Sequence, residues 1–392
     1  MSETQFDLAA YMSDGIREFM AAAYRNVLSN PREARFVHRM RRVVETSAKR
    51  RREVLEEDGL AVPPFLIASI ATTCNLHCKG CYARSNGIVS LTPQPPLLKG
   101  EGESDNHNTP LQTGEGSGER LLTPEQWRTI MAEAASLGVN FTLLAGGEPM
   151  MRRDIIEAVA SVKEMIFPVF TNGTLIGPTY IDLIRRNLNI VPVISIEGTA
   201  VGTDERRGKG VFDRAMLSMD MLKAEDLIFG ASITVTSENM ELVTSPQFIE
   251  SLRAKRCRLL FYIEYVPTEK GTENLALDDE QVARMAATVL QRRNEYSDII
   301  FFSFPGDEKE TGGCIASGRG FFHIGPDGSA EPCPFSPFSD SNVLELGVKE
   351  ALQSPLFRTL RDASILGWAH TGGCTLYEHR DEVEAMMNTL QD

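Results

Sequence analysis

No run of about 18 apolar residues occurs anywhere in this sequence, so no membrane span is available. The first residues, Met1 to Ala10, carry acids and lack the basic region that precedes the apolar stretch of a secretory signal, so a cytoplasmic protein is expected. Positive charge is in deficit. Lys and Arg number 40 against 54 Asp and Glu, a net charge of −14, which argues against a general nucleic-acid binder. What is present is ordinary soluble composition, 42 % hydrophobic and 24 % charged over 392 residues, room for two or three domains.

Cysteine is the informative residue. There are seven, an odd count with no secretion signal, so disulfides are a poor reading and metal or redox chemistry a better one. They fall as Cys74, Cys78 and Cys81, then Cys257 alone, then Cys314, Cys333 and Cys374.

Residues 6–58 carry apolar side chains at three- and four-residue steps and are expected to be helical. Nine Lys or Arg against three Glu lie between Arg32 and Glu53, so this segment is either a solvated helix packed on the main domain or a surface for an anionic partner. Short apolar runs at 64–70, 140–145, 167–171, 190–196, 229–235 and 258–266 read as strands, with helical patterns between them. Six alternating strands and helices imply a parallel sheet, open or closed into a partial barrel, whose loops of interest follow the strand ends. Residues 86–120, rich in Gly, Pro, Glu and Ser and internally repetitive, interrupt the rhythm and read as a disordered insertion. Thr123-Pro124-Glu125-Gln126 then has the form of a helix start.

Cys74-x3-Cys78-x2-Cys81 follows the first strand. Three thiolates on one loop can converge on a soft metal centre and leave a fourth position open, which in an iron–sulfur cluster can take an exogenous ligand. Zinc, with His77 as a fourth ligand, is the alternative. This spacing, after the first strand of an α/β chain, resembles the radical S-adenosylmethionine enzymes. The resemblance implies a partial (β/α)6 TIM-like barrel, a 4Fe–4S cluster on Cys74, Cys78 and Cys81, and reductive cleavage of S-adenosylmethionine to a 5′-deoxyadenosyl radical that abstracts hydrogen from substrate. It also implies that Gly146, Gly147 and Glu148, at the second strand end, contact the methionyl amino group. Asn172 in Thr171-Asn172-Gly173, Ser195 and Glu197 in Ser195-Ile196-Glu197-Gly198, and Arg207 in Asp204-x-x-Arg207 are placed beside the same cofactor. One departure stands out. The residue before the third cysteine is often aromatic in this family and here is Gly80, with Tyr82 the nearest substitute.

Cys314-x13-Gly328-x4-Cys333 encloses a hairpin pattern with Pro326-Asp327-Gly328 as its turn, and Cys374 follows a helical stretch. This resembles the opening of a SPASM-type extension, reduced to three cysteines. A second, auxiliary 4Fe–4S cluster is implied, its fourth position filled by His370, His379, Glu378 or substrate. Structural cysteines or zinc are the alternatives. Cys257 reads as a small core residue, with hydrogen-atom donor or fourth cluster ligand as functional options.

The expected organisation is an N-terminal helical segment (1–63), a radical S-adenosylmethionine barrel (64–305) and a small C-terminal α/β iron–sulfur extension (306–392). The favoured substrate is a peptide or protein side chain, with flavodoxin or ferredoxin as reducing partner. Small-molecule or lipid-linked biosynthesis is the second enzymatic reading, and a non-catalytic iron–sulfur scaffold or regulator the non-enzymatic one.

Overall fold

Runs that are apolar at most positions belong to strands buried on both faces, and all six expected strands form. They are β1 (Phe65–Ala71), β4 (Phe141–Gly146), β5 (Phe167–Thr171), β6 (Ile190–Ile196), β7 (Gly230–Val235) and β8 (Leu259–Glu264), in that spatial order and parallel throughout. Two short strands, β2 (Thr73–Cys74) and β3 (Ser90–Leu91), pair separately. The computed structural model describes residues 31–87, 89–91, 121–306, 313–363, 365–367 and 374–391. The expected helix before Pro31, most of the 86–120 insertion and His370 lie outside these residues.

Strand alternation divides the interior in two. Leu66, Ala68 and Ile70 of β1, Val169 of β5, and Ile194 and Ile196 of β6 pack outward on flanking helices, against Trp127, Ile155, Leu183 and Met219. Phe65, Phe141, Val191 and Ile300, at the strand starts, face the other way and cluster with Phe36, Val37, Met40 and Val44 of the helix Pro31–Asp58. That helix therefore closes the end of the barrel at which the strands begin. Part of its basic content is spent inward: Arg39 donates to Lys163 O, Arg50 to Ser136 O and Arg51 to Gly138 O. The last two carbonyls lie at the C-terminal end of the helix Pro124–Leu137, where positive charge is favoured. Glu33 joins Arg256 and Arg258 at 3.2 and 2.7 Å, and Arg258 also reaches Asp298 at 3.0 Å. Cys257, between those arginines, is fully buried with its thiol on Leu259 O.

Three features extend the sequence reading. A seventh parallel strand, β9 (Ile300–Phe304), follows β8. The C-terminal hairpin forms from β10 (His323–Ile324) and β11 (Ala330–Glu331), with Gly328 at φ +93°, but it also continues the barrel sheet, β10 pairing in parallel with β1. Thr123 and Gln126 make the expected capping box. Among the described residues, no helix is long and apolar enough to cross a membrane.

The first residues of the expected insertion are ordered, since β3 pairs Ser90 with Thr73 and Leu91 with Cys74. This fixes where the segment can be cut. Replacing residues 93–118 by a short Gly-Ser linker should leave thermal stability and iron retention nearly unchanged, because loop closure costs only about 0.6 kcal/mol per doubling of length. Removing residues 90–118 takes away the strand beside Cys74, and iron retention should fall. Iron analysis and melting curves of the two deletions make the comparison.

Candidate active site

β1 runs into Thr73-Cys74, and the loop that follows carries the other two cysteines of the first triplet. Three neighbouring strand-end segments hold this loop. Asn75 Nδ2 donates to Thr174 Oγ1 at 2.8 Å, and Asn75 Oδ1 accepts from Asn172 Nδ2 at 2.8 Å. Lys79 N donates to Arg206 O at 2.9 Å. Gly80 N donates to Glu269 Oε2 at 2.8 Å. Burial, and then the Glu148 charge, push the Cys74 thiol up to about 12. Burial also raises the Cys78 thiol, against the opposing pull of Arg207 and Arg206. A metal bound here would have to displace protons that the buried loop otherwise retains.

The Gly146-Gly147-Glu148 segment crosses directly over this strand. Gly147 N donates to Ala71 O at 2.7 Å and Glu148 N to Thr73 O at 2.8 Å. A Cβ on Gly147 would lie 2.1 Å from Thr73 O, and one on Gly146, at φ +106°, would lie 2.5 Å from Ala71 O. The close approach these glycines permit is thus, first of all, to the cysteine strand itself. Glu148 is 1 % exposed and accepts from Met150 N (3.0 Å), Thr171 Oγ1 (2.6 Å) and Asn172 N (2.8 Å). Burial raises its pKa more than these bonds lower it. A carboxylate offers about four acceptor sites, so roughly one remains for a ligand donor.

Asn172 follows β5, and both ends of its side-chain amide are engaged. Its amide nitrogen meets Asn75, and its oxygen accepts from Thr174 N and Oγ1 at 2.9 and 2.6 Å. Its side chain therefore fastens the cysteine loop, a role the Thr-Asn-Gly pattern does not announce. Glu197, after β6, binds Arg206 and Arg207, both at 2.7 Å, and accepts from Thr234 N at 3.2 Å. This holds two guanidinium groups near Cys78.

The second triplet comes together as well. Cys333 follows β11, Cys374 begins the turn Thr375–Glu378, and their thiols lie close enough to shift each other's protonation. The neighbouring Cys374 thiol and burial hold the Cys333 proton on, while Cys374 is lowered as its partner; Cys314 is close enough to add charge. Both triplets line one cavity of about 290 Å³, together with Gly146, Gly147, Glu148, Asn172, Ser195 and Arg207. Much of the remaining wall is aromatic, including Phe170, Phe261, Tyr265, Phe304, Phe321 and Phe335. Tyr82 lies between the triplets: its ring meets Phe335 at 5.1 Å, and burial, then Cys81 and Cys333, raise its hydroxyl. His379 and Glu378 are not among the lining residues. Among the described residues, no three His, Cys, Asp or Glu side chains close to the spacing of a single metal ion. The donor set, thiols spread around a cavity, fits a multi-iron cluster better than one zinc ion.

The ring beside Gly80 belongs to Tyr265, one residue past β8. A Cβ on Gly80, at φ +62°, would lie 2.2 Å from Tyr265 Oη. Gly80→Ala should therefore displace Tyr265 and loosen the loop, lowering iron retention several-fold. Adding Tyr265→Ala should recover the share due to the clash but not the share due to the positive φ. Iron content of the two single variants and the double variant separates them. Sequence reading also passed over Asn75, Thr174 and Arg206. The first lies between two cysteines and the last beside Arg207, but their long-range partners leave no local pattern.

The model of the Radical SAM superfamily matches residues 68–243. The AdoMet-dependent heme synthase of Methanosarcina barkeri is 26 % identical over 347 residues, which cover 81 % of this chain and 89 % of that protein. The PqqA peptide cyclase of Granulibacter bethesdensis is 26 % identical over 284 residues, 69 % of this chain and 68 % of that one. Among solved structures, Streptococcus suis SuiB bound to S-adenosylmethionine superposes with a TM-score of 0.59 at 15 % identity, over 81 % of this chain and 72 % of that chain. With its parallel sheet and its cysteine loop at the strand ends, the chain is similar over residues 68–243 to the radical SAM superfamily of enzymes, whose members use a 4Fe–4S cluster and S-adenosylmethionine.

Proposed function

We propose that Cys74, Cys78 and Cys81 hold the 4Fe–4S cluster, and that Gly146, Gly147, Glu148, Asn172, Ser195, Glu197 and Arg207 form the surrounding S-adenosylmethionine site. In this reading Cys314, Cys333 and Cys374 hold an auxiliary 4Fe–4S cluster in a reduced SPASM-type extension (306–392) beside the barrel (64–305). One observation carries the reading: both cysteine triplets face a single, largely apolar cavity. When bound, the cluster supplies the electron that cleaves S-adenosylmethionine and yields the 5′-deoxyadenosyl radical that takes hydrogen from substrate. The chain's own residues orient and protect. Glu148 keeps an acceptor site for an ammonium group. Asn75 and Asn172 fasten the cysteine loop. Glu197 holds Arg206 and Arg207 beside Cys78. The aromatic wall excludes water from the reacting centre.

The substrate favoured is a peptide or protein side chain, in line with the PqqA peptide cyclase relative. Flavodoxin or ferredoxin would supply electrons, in the cytoplasm. Anaerobic reconstitution with S-adenosylmethionine and dithionite should give 5′-deoxyadenosine by mass spectrometry, and a cognate peptide should lose hydrogen mass in step with it. Absence of 5′-deoxyadenosine from iron-replete protein would overturn the reading. A small-molecule substrate is the second reading, favoured by the heme synthase relative, which the match covers over 89 % of its length. Turnover of an iron porphyrin with no peptide present would decide for it.

Glu148 offers a pH test. Burial raises its folded pKa above the unfolded value of about 4.3. Its contribution to stability is therefore full below that value and is lost as pH rises through the folded pKa. Glu148→Gln removes this loss. The cofactor-free variant should melt above wild type near neutral pH, with the gap closing on acidification, while S-adenosylmethionine binds more weakly. Melting curves across pH 5 to 8 and binding titrations would show both trends; a gap that does not change with pH would count against a raised pKa.

A further inference from the structure

A buried hydrogen-bond chain joins the C-terminal hairpin to the first barrel strand. Ser69 Oγ and His323 Nε2 are 2.8 Å apart, and His323 Nδ1 and Glu331 Oε2 are 2.6 Å apart. A carboxylate beside Nδ1 places the proton there, so Nε2 accepts from the Ser69 hydroxyl. Ser329 Oγ lies 3.0 Å from Glu331 Oε1 and 2.8 Å from Asp327 Oδ1, so its one hydroxyl proton is shared between the two carboxylates. Ser69 and His323 have no exposure and Glu331 has 7 %. The order serine, histidine, carboxylate resembles a nucleophile relay, but none of the three lines the cavity, so substrate has no access to them.

The chain sits beside a backbone ladder that is short. β10 meets β1 through only two residue pairs, Ile67 with His323 and Ala68 with Ile324, and β11 meets β10 through two more. Two backbone pairs of parallel sheet distinguish poorly between one register and its neighbour, yet a slip of one residue turns every side chain to the opposite face. Cys333 lies two residues beyond Glu331, so a slip would carry it away from Cys374 and the cavity. A buried polar chain that closes in only one alignment penalises the slipped ones, because each would leave a buried carboxylate and imidazole unsatisfied.

We propose that Ser69, His323 and Glu331 are positioning residues that set the register of the C-terminal hairpin on β1, and so deliver Cys333 to Cys374 and the second cysteine site. The link to cluster binding rests on the auxiliary-cluster reading above; the register itself does not, and the test keeps the two apart. Metal-free full-length protein carrying Ala at 74, 78 and 81 is treated anaerobically with dibromobimane, which bridges two nearby thiols, and the Cys333–Cys374 adduct is quantified by peptide mapping. His323→Ala should lower its yield about tenfold, the scale of one charge-assisted hydrogen bond. The apolar triple variant Ser69→Ala, His323→Leu, Glu331→Met separates register from stability. It should recover the melting temperature, since well-packed apolar replacements of buried polar groups are often neutral, yet its adduct yield should stay low. Wild-type yield in either variant would overturn the proposal. Should the triple variant not fold, Glu331→Gln and Ser69→Ala decide: reduced adduct in the folded proteins supports the register role, and unchanged adduct in both removes it. Iron analysis in the same background tests the cluster separately. An iron-free parent would end the auxiliary-cluster reading while leaving the adduct result to judge the register.

Discussion

Replacing Cys74, Cys78 and Cys81 together by alanine should reduce 5′-deoxyadenosine formation to background while leaving the metal-free chain folded. The two halves of this expectation have different causes. The loop is held in place by Asn75, by the backbone of Lys79 and Gly80, and by the Gly147 and Glu148 amides on the adjoining strand, none of which is a thiol. The weak contact from Leu76 N to Cys74 Sγ at 3.4 Å goes with the thiol. All three cysteines are partly exposed at the cavity wall, so their truncation should cost about 0.5–1 kcal/mol each at most. In the proposed reading the chemistry has no such redundancy, because these three thiols would hold the cluster that supplies the electron for breaking the sulfonium bond. Circular dichroism and melting curves check the first half, and mass spectrometry after dithionite reduction the second. Undiminished cleavage of S-adenosylmethionine in the folded variant would sink the assignment.

The parts of this molecule that were legible in its sequence are those in which signal is local. Six strands announced themselves because each is largely buried on both faces and so is mainly apolar. The motifs Gly146-Gly147-Glu148, Thr171-Asn172 and Ser195-Ile196-Glu197 could be placed at strand ends for the same reason. β9 is as apolar as the rest, but no polar motif follows it, so nothing drew attention to Ile300–Phe304. Two-residue strands have no period to detect. The pairing of Ser90–Leu91 with Thr73–Cys74, and of His323–Ile324 with β1, exists only once distant segments meet. The same holds for side chains. Asn75 and Asn172 are 97 positions apart, and Ser69 and His323 are 254. Gly80 was visible as a departure from the family pattern, but the ring that fills its place, Tyr265, comes from the far side of the barrel.

Anaerobically reconstituted protein should carry about eight irons per chain, two clusters of roughly four, and the variant lacking Cys74, Cys78 and Cys81 should keep about four. The expectation rests on the convergence of three distant segments. Cys314, whose amide donates to Leu366 O at 2.7 Å, reaches the cavity beside Cys333, which the β10–β11 hairpin returns from 19 positions further along the chain. Cys374 follows the helix Pro355–Asp362 in the chain and lines the same cavity beside Cys333. Three cysteines whose role was only to fill a core would have no reason to face a cavity, since a buried thiol packs as a small apolar group. Conversely, replacing Cys314, Cys333 and Cys374 by alanine should halve the iron and leave reductive cleavage of S-adenosylmethionine in place, while coupled substrate turnover falls to background. Cys314 and Cys333 are 5 % and 7 % exposed, so this variant should lose roughly 1–2 kcal/mol per buried site, and its folding must be checked first. About four irons with a 4Fe–4S paramagnetic signal in the protein lacking the first triplet would establish the second centre. Iron near zero there, or stoichiometric zinc, would return these cysteines to a structural role and leave the cavity with a single metal centre.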